Sequence, residues 1–450
     1  MKLLMKRFLK FFKWTGITLG VLVALFIGIY AFDETLDPGA AAIINAQPKI
    51  KAEDNAYFFL VGLRAPADRD PGEFGRECVA RLMKVSKNFE ETKALHASGS
   101  VGCSREAKLD ISKISCGSSQ ASCFSNYLKH SSAFKQLADE NKNLLQRYDR
   151  LLSMTQFEEL PFSIENASAH FFDLSIRELY SAVSVIKLLE GNNAEFVRRM
   201  VAAASYDRMV LRGDIDLIGK MIALDKVHSA ARLVSDALRN YPTLATEYAA
   251  ALSSISLPFT MDERSLESAR RADLRVHVEI MRWAEAMTAA KEESFIIEGL
   301  YYPLIHKRIA TINLQYRAVE DWRKLAQIPT ERYLVEGQVA LEQLTSPDYI
   351  RMIYNPMGNY LAGLGGANYA KFVPRTIDAD GLLRLVSLQI QIAAQNIPES
   401  EIPAFLKNAD PQLRDPYTGQ PMQWDKTRGL YFRGHSDRIT DKVGFVTLKL

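Results

Sequence analysis

Apolar residues recur at helical spacing over most of the chain after residue 130. Steps of three and four residues place them on one face of a helix, with polar residues on the other face. This periodicity predicts amphipathic helices over 137–152, 176–186, 214–241, 305–327 and 378–396. Gly191 stands where the second helix should stop, and Pro242 and Pro329 follow the third and fourth. We therefore predict a mainly α fold built from helical hairpins.

Three shorter segments carry weaker patterns. Thr260 and Glu263 have the spacing of a capping box at a helix N-terminus. Residues 58–63 form an apolar stretch that fits either a strand or a buried helix, which periodicity does not separate. In the tail, aromatic and β-branched residues flank a loop at 425–429 and predict a β-hairpin, with 443–448 as a candidate third strand.

The N-terminus has the pattern of a membrane anchor. Residues 14–32 form an apolar run of about 19 residues, which as a helix of about 28 Å matches the hydrocarbon core of a bilayer. Residues 1–13 contain five cations and no acid, whereas Asp33, Glu34 and Asp37 follow the run. The positive-inside rule then predicts a single-pass protein of the bacterial inner membrane with a cytoplasmic N-terminus and a periplasmic C-terminal domain. The alternative is a signal peptide cleaved near residues 40–42.

The charge of the chain depends on this N-terminal stub. The formal charge is +3, but without the five N-terminal cations 51 Lys and Arg stand against 53 Asp and Glu. No basic excess remains to neutralise phosphates, so nucleic acid is not expected as a partner. The expected partners are the membrane and other envelope proteins.

All four cysteines fall within one short part of the chain. Cys78, Cys103, Cys116 and Cys123 are all candidates for disulfides, because an exported domain folds in an oxidising compartment. Four cysteines allow three connectivities, and we favour Cys116 with Cys123 and Cys78 with Cys103, since the first pair closes a short loop. The gaps between these cysteines do not fit a zinc site.

These features divide the chain into six predicted parts. They are a cytoplasmic stub at 1–13, a transmembrane anchor at 14–32, a linker at 33–55, a cysteine-containing subdomain at 56–130, a helical domain at 131–397 and a β-hairpin tail at 398–450. The linker is expected to lift the exported part away from the bilayer.

No motif names a reaction. Ser184 and Lys187 have the Ser-x-x-Lys spacing of penicillin-binding enzymes, without the other motifs of that group. Glu293-Ser294 and Asn355-Pro356 resemble pieces of the lytic transglycosylase pattern, but the Gly-Leu-Met-Gln block expected between them is missing. The glycines of 363–366 lack the context of a P-loop. His277 begins half of a deaminase pattern whose cysteines are absent. We therefore assign no catalytic, cofactor-binding or metal-binding residue.

The tail carries the one resemblance to known proteins. Its sequence from Asp415 to Pro421 is similar to the Asp-Pro-aromatic-x-Gly-x-Pro ending of membrane-anchored bacterial envelope proteins, a resemblance that implies no activity. It also resembles the ending of type II secretion pseudopilins, although their processed N-terminal segment is missing. In structural terms, Asp415 and Gly419 suit a tight turn.

If the chain has a functional surface, we expect it where the last helix meets the tail. The members of this predicted surface are Arg384, Asp415, Tyr417 and Trp424, with Arg375, Asp378 and Asp380 beside them. A structural role as an ion-paired and aromatic seam is the competing interpretation.

Three classes of function remain. The first is a membrane-tethered envelope protein that binds or scaffolds other components, because long amphipathic helices without catalytic motifs are typical of such proteins. The second is an envelope hydrolase acting on peptidoglycan or peptides, since catalytic residues can come from distant positions. The third is a component of a secretion or pilus system, which depends on the tail alone.

Overall fold

The computed structural model confirms a mainly helical protein that ends in a small antiparallel sheet. It describes residues 32–85, 109–116, 122–160, 174–290, 307–345, 353–360, 369–436 and 439–450, together with 10, 11, 13–21, 24 and 28. The helices of the N-terminal half are α1 Pro38–Ile44, α2 Ala56–Val61, α3 Pro71–Val85, α4 Cys123–Lys129, α5 Ser131–Glu140, α6 Lys142–Leu152, α7 Leu174–Leu189 and α8 Asn193–Arg212. Those of the C-terminal half are α9 Leu217–Asn240, α10 Thr243–Glu247, α11 Ala249–Ile255, α12 Met261–Arg264, α13 Glu267–Ala290, α14 Arg308–Gln327, α15 Gln338–Thr345, α16 Val373–Ala394 and α17 Ile402–Asn408.

Several predicted helices coincide closely with observed ones. The pattern over 214–241 corresponds to α9, and that over 305–327 corresponds to α14. Gly191 has a positive φ of 80°, which ends α7 as expected. Thr260 and Glu263 form the predicted capping box at the start of α12. The segment 58–63, which the sequence left open, belongs to α2.

The predicted anchor is described only in part, because residues 22, 23, 25–27 and 29–31 lie outside the described residues. Those of its residues that are described between 13 and 28 are helical. Among the described residues, no helix combines the length and apolar character needed to cross a membrane. The transmembrane helix therefore stays a prediction.

The segment predicted as a linker contains folded structure. Asp37 accepts a hydrogen bond from the Gly39 amide and so caps α1. Helix α1 packs on α13 and α14, where Ala40 joins Leu274 and Ile312 in a small apolar cluster. This part of the chain is thus held against two long helices.

Helix α16 lies at the centre of the molecule. It contacts α9, α10, α11 and the third strand of the sheet, and its residues from 376 to 390 are all buried. The sequence predicted a single inward face at 378–396, but polar residues of this helix are buried as well. Hydrogen bonds to other segments help to offset this burial: Ser387 donates to the Ser256 carbonyl, and the Gln389 amide nitrogen donates to the Ser235 carbonyl.

The tail forms the predicted hairpin and third strand. The strands β1 Gln423–Asp425, β2 Gly429–Arg433 and β3 Phe445–Leu448 are antiparallel in the order β1-β2-β3. Phe432 of β2 pairs with Val446 of β3, and its ring lies against Gly381 of α16. A side chain at Gly381 would collide with that ring, so this glycine lets the sheet approach the central helix closely.

The cysteine pair with the shorter loop is bonded. Cys116 and Cys123 form a disulfide with their Cα atoms 5.4 Å apart. Cys78 is also disulfide-bonded. Its predicted partner, Cys103, lies outside the described residues.

One continuous hydrophobic core joins most of these elements. It includes Phe59 of α2, Leu211 of α8, Leu385 of α16 and Phe432 of β2. Burial of apolar surface on this scale is the main stabilising contribution to the fold. The predicted subdomains 56–130, 131–397 and 398–450 therefore share one core.

Candidate functional site

The residues singled out in the sequence meet where α16 faces the tail. Asp378 is fully buried at the start of α16 and accepts a hydrogen bond of 2.7 Å from the Tyr417 hydroxyl. It also accepts from the backbone amide of Ser436 at 2.7 Å and from that of His435. The Tyr417 ring lies 4.6 Å from the His435 ring. Asp378 thus connects the helix, the turn and the segment after β2.

A second carboxylate, two residues farther along α16, lies on the other side of the seam. Asp380 is fully buried and forms an ion pair of 2.6 Å with Arg384. Arg384 also donates to the Arg414 carbonyl at 2.8 Å, just before the tail turn. The Phe259 amide donates to Asp380 as well. These contacts leave the pair fully occupied within the protein.

The remaining predicted residues lie around this seam. Asp415 accepts from the Tyr417 amide at 2.8 Å, and Gly419 has a φ of 65° in the same turn. Trp424 lies on β1 opposite Leu430, partly buried against the core. The Arg375 guanidinium lies 4.7 Å from the centre of the Phe372 ring.

The seam is an internal joint between the helix and the tail. Arg384 is 7% exposed, Asp415 is 9% exposed and Tyr417 is 3% exposed. Residues so deeply buried offer little contact to an external partner, so Arg384, Asp415 and Tyr417 hold the tail in place. The sequence predicted that these residues lie together, but it did not show that they are buried.

Burial controls the electrostatics of the seam. It raises the pKa of Asp378 from 3.8 to about 6, although the hydrogen bonds from Tyr417 and from the two amides oppose the change. Burial also raises the pKa of Tyr417 and lowers the pKa of His435. The Tyr417 and His435 side chains are therefore neutral near pH 7.

Stability should therefore depend on Asp378 between pH 4 and pH 6. The unfolded chain ionises this group near 3.8 and the folded chain near 6, so the folded state holds more protons in that window and its stability falls as the pH rises. The difference between these two pKa values corresponds to about 3 kcal/mol of folding stability. We expect Asp378→Asn to remove this decline, measured as the free energy of urea unfolding at pH 4 and pH 7.

The Asn variant also loses an acceptor for the Ser436 amide, which should cost about 1–3 kcal/mol at every pH. The informative quantity is therefore the difference between the two pH values, not the stability at one. Asp139→Asn, at an exposed position on α5, serves as the matched control and should keep the wild-type pH dependence. An unchanged pH dependence in Asp378→Asn would contradict the assignment of this decline to Asp378.

The weak catalytic patterns gain no support from the described geometry. The Ser184 hydroxyl donates to the Tyr180 carbonyl at 2.7 Å and accepts from Arg199, whereas Lys187 pairs with Glu190. The serine is therefore not activated by that lysine. His277 contacts the Asp273 carbonyl. Within the described ranges, no cluster of three or more His, Cys, Asp or Glu is placed to hold a metal ion.

Other residues of these patterns are not described. Glu293 and the glycines of 363–366 both lie outside the described residues.

An open cleft lies in the N-terminal part, where the sequence predicted no site. Its volume is about 510 Å³, within the range of sites that bind small molecules or peptide segments. It is formed by the turn before α2, the N-terminal end of α3 and the C-terminal end of α6. Its lining residues are Ala52, Glu53, Asn55, Phe58, Phe59, Asp70, Gly72, Glu73, Arg76, Arg150, Ser153 and Met154.

Two glycines fix the walls of this cleft. A side chain at Gly62 would collide with the Pro71 carbonyl, and one at Gly75 would collide with the Phe58 carbonyl. Helices α2 and α3 can therefore pack backbone to backbone only with glycine at these positions. This tight pairing sets the geometry of the aromatic residues and the α3 terminus that line the cleft.

Charged groups surround an apolar base in the cleft. Phe58 and Phe59 are buried, whereas Glu53 and Glu73 are exposed and Arg76 is half-buried. Asp70 caps α3 by accepting from the Glu73 amide at 3.0 Å, and this bond is the main reason that its pKa is lowered. An apolar base with both signs of charge at the mouth suits a ligand of mixed polarity.

Asp70 also pairs with Arg150 of α6 at 2.9 Å. The Arg150 guanidinium lies 5.0 Å from the centre of the Phe59 ring. Because this arginine is 64% exposed, its ion pair contributes little to stability, and it can turn toward a ligand at low cost.

Asn55 is the buried polar residue of the cleft. Its side chain donates to the Glu158 carbonyl at 2.7 Å and accepts from the Tyr57 amide, so its hydrogen bonds are used within the protein. It positions the turn before α2. The charged residues at the mouth are the groups available to a ligand.

Sequence reasoning missed this cleft because its residues come from three separate segments. The signals that were present are the glycines at 62, 72 and 75 and the Asp-Pro-Gly start of α3. Comparison with known proteins finds no matching protein family, no similar curated protein and no similar solved structure.

Proposed function

We propose that this chain is a membrane-tethered envelope protein that binds another envelope component through the cleft between α2, α3 and α6. The observation that carries the binding role is the cleft itself, which combines an aromatic base with charged residues at its mouth. Its volume fits a side chain, a short peptide segment or a small molecule. The proposed location is the periplasmic side of the bacterial inner membrane, with the N-terminus in the cytoplasm.

The exposed apolar residues of the N-terminal segment support the tether. Trp14 is 66% exposed, Leu19 is 62% exposed and Val21 is 53% exposed. Leaving such side chains in water is unfavourable by about 25 cal/mol per Å² of apolar surface, whereas lipid would cover them. The bonded pair Cys116–Cys123 agrees with export to an oxidising compartment.

The two other classes have less support. An envelope hydrolase acting on peptidoglycan or peptides requires convergent catalytic groups, and in the described part of the chain Ser184 and Lys187 are engaged elsewhere. A secretion or pilus component depends on the tail, whose turn is explained by its contacts with α16.

The tether predicts how the protein distributes in a cell. The full chain should stay in the membrane pellet after extraction at alkaline pH, because a spanning helix resists extraction. Replacing residues 1–31 with a cleavable export signal should move the protein to the soluble periplasmic fraction. Recovery of the full chain in the soluble fraction would contradict the tether.

Site-specific photocrosslinking tests the binding role in the same membranes. A benzophenone amino acid at Glu73, which is exposed at the mouth of the cleft, should give a discrete adduct with an envelope component. The same probe at Glu140, exposed on α5 and not part of the cleft, is the matched control. Identical adduct patterns at the two positions would refute the cleft as the binding site.

A further inference from the structure

The residues that follow the predicted anchor are fixed to the N-terminus of α14. The Asp33 carboxylate accepts from the Ile309 amide at 2.7 Å and from the Ala310 amide at 3.0 Å. These are amides of the first helical turn, so Asp33 satisfies donors that the helix itself leaves unpaired. The chain is thus attached to the helical body within one residue of Phe32.

Asn313 adds three bonds to the same short segment. Its side chain accepts from the Asp37 amide at 2.8 Å and donates to Glu34 at 2.8 Å and to the Thr35 carbonyl at 2.9 Å. Every residue from 33 to 37 except Leu36 therefore forms a hydrogen bond with α14. This segment cannot serve as a flexible spacer.

A second contact places another surface beside the end of the anchor. The Tyr354 hydroxyl donates to the Phe32 carbonyl at 3.0 Å. Ile353 is 65% exposed and Tyr360, at the end of the same segment, is 62% exposed. Phe32 itself is 72% exposed. Tyr354 thus lies at the point where the chain would leave the bilayer, and Ile353 and Tyr360 are exposed in the same short segment.

The distances leave little room between this surface and the lipid. The headgroup layer is about 5–8 Å thick on each side of the hydrocarbon core. If the spanning helix ends at Phe32, Tyr354 lies one hydrogen bond from its last carbonyl and hence within that layer. Tyrosine and aliphatic side chains are favoured there, because each buries an apolar part while its polar groups stay hydrated.

We propose that Ile353, Tyr354 and Tyr360 form a second membrane contact, which inserts into the headgroup region of the leaflet that the anchor leaves. The partner is the lipid surface itself. This inference rests on the proposed tether, and it fixes how the domain is oriented. The domain lies directly on the bilayer. The N-terminal end of α14 and residues 353–360 face the lipid.

Photolabelling from lipid tests this contact. The full chain is placed in nanodiscs that contain a phospholipid with a diazirine near its glycerol backbone, and adducts are mapped by mass spectrometry after irradiation. We expect adducts within residues 14–32 and within 353–360. The hairpin region around Val443, which is 70% exposed, should stay at background.

Substitutions then test the side chains. Ile353→Asp should reduce labelling of 353–360 to the background level while leaving that of 14–32 unchanged. Val443→Asp, at a similarly exposed apolar position in the tail, is the matched control and should change neither. Because both positions are exposed, neither variant should disturb folding.

The outcomes separate this inference from the proposed tether. Adducts on 14–32 without adducts on 353–360 would overturn the second contact and leave the anchor in place, and Ile353 and Tyr360 would then belong to a protein contact. No adducts in either region would overturn both. Adducts in both regions that persist in Ile353→Asp would show that the label arises from proximity to the lipid and not from insertion of this side chain. That result would also contradict the proposal.

Discussion

Replacing Glu263 with Ala is expected to lower the free energy of unfolding by about 3–5 kcal/mol, because it breaks a fully buried ion pair. Glu263 is 0% exposed and accepts from Arg208 at 2.7 Å and from Arg212 at 2.8 Å. It also accepts from the Thr260 amide in the capping box. Without it, Arg208 keeps its charge in the interior with only carbonyl partners. Urea unfolding of the full chain in detergent micelles measures the loss.

Two further variants make this prediction specific. Glu279→Ala removes an exposed carboxylate from the pair Glu279–Arg282 and should cost less than about 0.5 kcal/mol. The double change of Glu263 and Arg208 to Met should cost less than Glu263→Ala alone, since no uncompensated charge then remains. If Glu263→Ala were as mild as Glu279→Ala, the buried pair would not support this part of the fold.

Replacing Gly75 with Ala is expected to separate α2 from α3 and to cost about 3 kcal/mol, at the upper end of the range for overpacking. The new methyl group would collide with the Phe58 carbonyl, and backbone on both sides leaves no flexible side chain to yield. Gly62→Ala should have a similar effect through the Pro71 carbonyl. Because these helices form two walls of the cleft, the crosslinked adduct from position 73 should disappear as well.

Gly72→Ala is the matched control in the same helix. Its methyl group would meet the Asp70 carboxylate at 3.2 Å, a side chain that can shift slightly. We expect a change within about 1 kcal/mol, partly offset by the better helix propensity of Ala. Equal stabilities for Gly75→Ala and Gly72→Ala would show that α2 and α3 can separate without cost.

The sequence predicted the long helices well because their signal is local. In α9 and α14 the apolar residues return every three or four positions, and this spacing needs no knowledge of the partner. Thr260 with Glu263 and the stop at Gly191 are also local, since each depends on backbone groups within one turn. The hairpin followed from the short loop between two β-preferring runs.

Burial of polar residues could not be predicted in the same way. The periodicity of α16 suggested one inward face, but Asp378 and Asp380 are buried because partners from distant segments satisfy them. Asp378 meets Tyr417 across 39 positions of the chain, and Asp380 meets the Phe259 amide across 121. Whether a carboxylate faces water or an internal donor is decided only when those segments pack.

The sequence by itself determined the helical class, the hairpin at the tail, the short-range cysteine pair and the apolar N-terminal run that predicts the tether. Each of these follows from residues close together in the chain. Only the tertiary structure decided that the cleft exists, that the predicted seam is an internal joint, and that Asp33 and Tyr354 hold residues 32–37 against α14. The physical reason is that these features depend on contacts between residues separated by up to 322 positions, and no local pattern encodes such contacts.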